Sequence, residues 1–224
     1  MTAITPAVNA NPPGARASSR VPRFGMARAK SPGLAMPIRP DDSPVAALCV
    51  AGRSIYQHMA GVMAYDRRRD ARSFPGGCPV VAHPPCRTWS KFLRHQARPA
   101  DYEGERELAR WCVRMVIENG GVLEQPADSL LWTDQNLPVP NAPAEDPFLY
   151  SVYVEQSWFG YATRKPTWVL VAGVPRHQLP ALPFNFHAQS LALGKGSAFA
   201  RSRTMQGFAD WLCQTARASW WQHR

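Results

Sequence analysis

Residues 101–126 read DYEGERELARWCVRMVIENGGVLEQP, and this one stretch decides the fold class. Leu108, Trp111, Cys112, Met115 and Val116 recur at helical spacing, so the pattern predicts an amphipathic helix over 101–118. Asn119-Gly120 is suited to closing that helix through a left-handed residue. Residues 121–124, GVLE, then read as a short apolar strand that runs directly into Gln125-Pro126.

The same grammar recurs on either side. Residues 80–86, VVAHPPC, are a strand that gives way to His-Pro-Pro-Cys, and residues 159–165, FGYATRK, form a turn between strands expected at 152–158 and 167–172. Further strands are expected at 45–50 (VAALCV) and 62–65, a short helix at 54–59, a loop at 133–147 and a last helix at 205–217. Strands alternating with helices predict an α/β, Rossmann-like domain with a mostly parallel sheet flanked by helices. Ligands of such sheets bind beyond the carboxyl ends of the strands. Cys86 and Glu124 are therefore expected on one edge.

Charge and composition divide the chain. Residues 1–40 hold six basic residues and no acidic one, so subtracting six from the net +10 leaves about +4 for the rest. Residues 1–43, rich in Pro, Ala, Ser and Arg, read as a disordered basic arm, and 44–224 as one domain. The arm fits a polyanionic partner such as DNA, or is simply a solvated leader. The five cysteines show no CxxC spacing, which argues against a disulfide framework or a structural zinc and suits a cytoplasmic setting. No apolar run approaches ~20 residues, so no membrane span is expected.

Two positions invite chemistry. Pro84 and Pro85 stiffen the approach to Cys86, and Arg87, Lys91 and Arg94 follow it; positive neighbours favour a thiolate. The plain alternative is a structural cysteine. Glu124, at a strand end, is suited to hydrogen-bonding the edge of a base, or is a surface glutamate at a turn.

Pro84-Pro85-Cys86 with Trp89-Ser90 resembles the PPC-x-x-[FW]-S signature of cytosine-C5 DNA methyltransferases. Glu124-Gln125-Pro126 resembles that family's ENV motif, closer to the ENP variant of phage-type members. Phe159-Gly160 with Arg164-Lys165-Pro166-Thr167 is similar to its Tyr-Gly…Gln-x-Arg-x-Arg segment, and Arg203-Thr204…Gln206-Gly207-Phe208-Ala209-Asp210 to its late Gln-Gly-Phe-Pro-Asp stretch. The four motifs fall in the family's order over roughly residues 62–212.

The resemblance implies a Cys86 nucleophile, Glu124 on the base's N3 and amine, and Arg164 bracing its carbonyl side, all three converging on one pocket. It implies S-adenosylmethionine held near Gly52, Asp66 and Asp70, and DNA following Arg87, Lys91, Arg94 and Arg98. Nucleic-acid affinity is then expected to fall steeply with salt and vary little with sequence.

The departures are specific. The cofactor loop has one glycine, in Val50-Ala51-Gly52-Arg53-Ser54, with Arg53 set to crowd a ligand. Asp66 and Asp70 lie four residues apart and are equally read as a charged surface turn. The family's Gly-Asn-Ser motif is missing, and about 30 residues between Val174 and Arg203 replace its target-recognition domain. Two other readings remain open: thymidylate synthase-like chemistry, which also attacks pyrimidine C6 from a cysteine, and a degenerate methyltransferase fold that binds nucleic acid or a protein partner without catalysis. A zinc-deaminase reading through His83 and Cys86 fails, because Trp89 occupies the position three beyond Cys86. No metal is expected.

Overall fold

The structure, a computed structural model, describes residues 43–91, 98–143, 145–184 and 203–219. All belong to the second of two units into which the chain divides at Met36–Pro37, so nearly all of the expected arm lies outside the described residues. Six strands form one sheet: β1 (Val45–Leu48), β2 (Val62–Tyr65), β3 (Val80–Ala82), β4 (Gly121–Pro126), β5 (Leu149–Glu155) and β6 (Pro166–Ala172). Their order is β2-β1-β3-β4-β6-β5. The first four are mutually parallel, and β6 is antiparallel to both its neighbours. The expected α/β Rossmann-like class is the observed one.

Alternation along each strand builds two apolar layers. Ala46, Leu48, Val80, Ala82, Leu123 and Leu170 face one side, where they meet Cys112, Val113 and Val116 of helix α1 (Tyr102–Asn119) and Leu131 and Trp132 of helix α2 (Leu130–Asp134). Val45, Ala47, Val81, Val122, Val169 and Val171 face the other, against Phe208, Trp211, Leu212 and Ala216 of helix α3 (Gln206–Arg217). β1 and β3 are buried on both faces, as parallel strands under helices must be.

Several local expectations shift. The buried face of α1 centres on Ala109, Cys112, Val113 and Val116, while Leu108, Trp111 and Met115 pack at its margin. α2 occupies the start of the expected loop, capped by Ser129, whose hydroxyl accepts from the Leu131 amide. β5 begins and ends three residues earlier than expected; its pairing stops at Glu155 opposite Pro166, and a 3-10 turn takes over at Gln156. Gly121 has φ +119, and a Cβ there would sit 2.0 Å from the Val80 carbonyl oxygen, so only glycine lets β3 and β4 approach this closely. All five cysteines are free, with the Cys49 and Cys112 sulfurs 3.6 Å apart. Among the described residues, no helix is long and apolar enough to cross a membrane.

Candidate active site

Strand register decides which residues meet. β3 and β4 pair Ala82 with Leu123, so His83 and Glu124 come next on each strand, side by side at the carboxyl edge. β6 runs the other way, with Thr167 opposite Pro126, so its start lies where β4 ends. β5 pairs Glu155 with Pro166 and so finishes at that same edge. Three strand ends and one strand start thus deliver the His83–Cys86 turn, Glu124, Gln156 and Lys165 to one place.

Glu124 is the hub, with its side chain 13% exposed. One carboxylate oxygen lies 3.0 Å from His83 Nδ1, and the other accepts from Gln156 Nε2 at 3.0 Å. His83 Nε2 lies 2.9 Å from the Tyr56 hydroxyl. Gln156 Nε2 also donates to Thr167 Oγ1 at 3.0 Å, and that hydroxyl donates in turn to the Lys165 carbonyl. Burial is the largest single influence on the Glu124 carboxyl and acts to raise its pKa. The His83 hydrogen bond, the Lys165 charge and the Gln156 amide outweigh burial, and the net direction is downward. Tyr56 keeps its proton: burial, then the nearby Cys213, Glu124 and Asp210, hold its pKa well above the usual range.

Cys86 has exposed surface and opens a 3-10 turn over Arg87–Trp89. Enough protein surrounds it that desolvation is the largest influence on its thiol. That raises the pKa, and the Glu124 carboxylate raises it further, with Lys165 acting the other way. The expectation of a thiolate favoured by the cations that follow it is therefore corrected. Arg87 is committed to Glu105, whose own charge opposes the thiolate, and Lys91 lies 2.7 Å from Asp128. Arg98 stacks over Tyr102 at 4.9 Å, and Arg94 lies outside the described residues. The expected nucleic-acid strip is thus, at its described positions, a set of cations with local partners.

The turn carrying Cys86 is clamped from two sides. Gln125 Nε2, buried, donates to the Pro84 carbonyl at 2.7 Å. Trp89 is fully buried; Arg106 stacks on its ring at 3.7 Å and donates to the Thr88 carbonyl. Arg106 and Arg110 both reach Asp134 on α2.

The structure brings Cys86 and Glu124 together and turns Arg164 elsewhere. Arg164, its side chain 55% exposed, bonds Glu155 at 3.4 Å and the Tyr153 hydroxyl. The cation whose charge reaches both Glu124 and Cys86 is the next residue, Lys165. His83, Tyr56, Gln156 and Lys165 are the site residues that sequence reading missed. The one signal it offered was His83 itself, adjoining the proline pair and weighed only as a zinc ligand.

The expected cofactor residues separate into a pair and an outlier. A Cβ on Gly52 would lie 3.4 Å from Asp66 Oδ2, so the ends of β1 and β2 place this glycine and carboxylate side by side. Asp66 Oδ1 accepts from the Arg68 and Arg69 amides, and Oδ2 from Gln57; the backbone amides, Arg69 first, hold its pKa below the ordinary value. Oδ2 keeps room for a second donor, so the pair fits a sugar hydroxyl. Asp70 instead caps a short turn by accepting from the Arg72 amide at 2.9 Å. Arg53 is exposed. Among the described residues, no cluster of three or more His, Cys, Asp and Glu side chains could hold a metal ion. No protein-family model and no curated protein sequence matches the chain.

Proposed function

We propose that the chain modifies pyrimidine bases in DNA through Cys86, in the manner of the cytosine-C5 DNA methyltransferases its motifs resemble. The observation that carries this reading is the meeting of Cys86 and Glu124 at one carboxyl edge, from strands 38 residues apart in sequence. The Cys86 sulfur adds to ring C6 and the ring electrons move toward C5. Glu124, ionised, takes an N–H of the base edge, and Lys165 offsets charge that builds on the ring. Once C5 had gained a methyl group, loss of the C5 proton to a base would restore the C5–C6 double bond and release the Cys86 sulfur. Gly52 and Asp66 would hold S-adenosylmethionine, which supplies an electrophilic methyl group when bound. A base in duplex must first leave the stack.

A non-catalytic reading has its own support. The Cys86 thiol is pushed up, and both Glu124 oxygens already have partners. One assay separates the two. DNA carrying 5-fluorocytosine, incubated with the chain and S-adenosylmethionine, is expected to give a covalent adduct that Cys86→Ser abolishes. Calorimetry showing no S-adenosylmethionine binding, together with no adduct, would leave a fold that binds without reacting.

A further inference from the structure

We propose that His83 is the positioning residue of the site, holding the Glu124 carboxylate in place, and that Tyr56 locks His83 in the tautomer that does so. The proposal deepens the reading above by naming what controls its hub.

The hydrogen-bond inventory leaves one arrangement for a neutral ring. Glu124 offers only acceptors when ionised, so His83 Nδ1 must carry the hydrogen across the 3.0 Å contact. Nε2 is then bare and accepts from the Tyr56 hydroxyl, 2.9 Å away. Tyr56 is fully enclosed at 1% exposure and packs its ring 5.3 Å from the imidazole. It has no access to a substrate and acts only through His83. Elsewhere around the hub stand Cys86 on the β3–α1 turn, Lys165 at the start of β6 and the neutral amide of Gln156 after β5. Behind Tyr56 lie Asp210 and Cys213 of α3. Of these, His83, Lys165 and Gln156 favour the charged carboxylate, and His83 gives the strongest of the three influences. Tyr56 lies in the Ile55–His58 turn that Ser54 caps, in the connection between β1 and β2, so the relay runs from that connection to the carboxylate beside Cys86.

Two measurements on the whole chain test this, neither of which needs methyl transfer. Failure here therefore stays distinct from failure of the adduct assay. Long-range proton–nitrogen spectra of histidine-labelled protein are expected to show the neutral His83 ring as the Nδ1–H tautomer, with that preference lost in Tyr56→Phe. An Nε2–H tautomer in the unaltered chain overturns the proposal.

The second measurement is the pH profile of Cys86 alkylation by iodoacetamide. The unaltered chain, with Glu124 held charged, gives the reference profile. Glu124→Gln removes the opposing charge, so its alkylation should be several-fold faster near neutral pH. His83→Leu strips the strongest support from a shielded carboxyl, which then takes up a proton as pH falls. Its profile should depart from the reference and approach that of Glu124→Gln at the acid end. His83→Asn, which keeps a donor for Glu124, should restore the reference profile. A His83→Leu profile identical to that of the unaltered chain, or one that His83→Asn fails to rescue, overturns the assignment.

Discussion

Gln125 holds the turn that carries Cys86 through the backbone of Pro84. Its buried amide donates to the Pro84 carbonyl and accepts from the Ser129 hydroxyl, so it ties the Cys86 turn to β4 and to the cap of α2. Gln125→Ala should cost about 1–3 kcal/mol, since it strands a shielded carbonyl and a hydroxyl. It should also cut adduct formation by more than that loss of stability explains, measured on protein shown to be folded by thermal melting. That Cys86 and Glu124 fall at one edge was readable in the sequence, because each lies at or just past an apolar run whose strand character is plain. The contact of His83 with Glu124 was not, because the two lie 41 residues apart and only the register of β3 on β4 joins them. The choice between Arg164 and Lys165 was unreadable for a different reason. The two lie in the irregular stretch before β6, where side-chain direction follows no period, and a motif match carries no phase.

Among the elements, α1, α2 and the Cys86 turn are joined through Asp134. Hydrogen bonding to Arg110 is the first cause of its pKa falling to about 2, against an ordinary value of 3.8. A carboxylate depressed on folding contributes stability above its unfolded pKa and loses it as pH falls through the folded value. Asp134→Asn should therefore melt lower than the unaltered chain at pH 7, by about 1 kcal/mol once solvent screening is counted. The gap should close between roughly pH 4 and pH 2; a gap constant over that window would contradict the assignment. α2 itself escaped sequence reading because five residues show no period. The long helix α1 was plain from its spacing, though its inward face proved to be turned toward Ala109 and Val113, where small and branched side chains allow the closer approach.

At the scale of the whole molecule, the net charge of +10 and the few residues available for reading bases set the expected mode of nucleic-acid binding. Affinity for single- or double-stranded DNA, followed by fluorescence anisotropy, should fall steeply between about 50 and 200 mM salt and change little with sequence. A salt-insensitive, selective complex would show that base contacts dominate. The sheet has a second consequence, rooted in its edge. Among the described residues, β2 has a strand neighbour on one side only, and three of its four residues are partly exposed, whereas β3 is flanked on both sides and wholly buried. Amide hydrogens of 62–65 should then exchange with deuterium well before those of 80–82, through local opening rather than global unfolding. Asp66 sits immediately after β2 beside Gly52, so a small molecule gripping that pair would tether the end of this strand. Slowed exchange confined to β2 on adding S-adenosylmethionine would make this strand a built-in reporter of occupancy, readable without any reaction taking place.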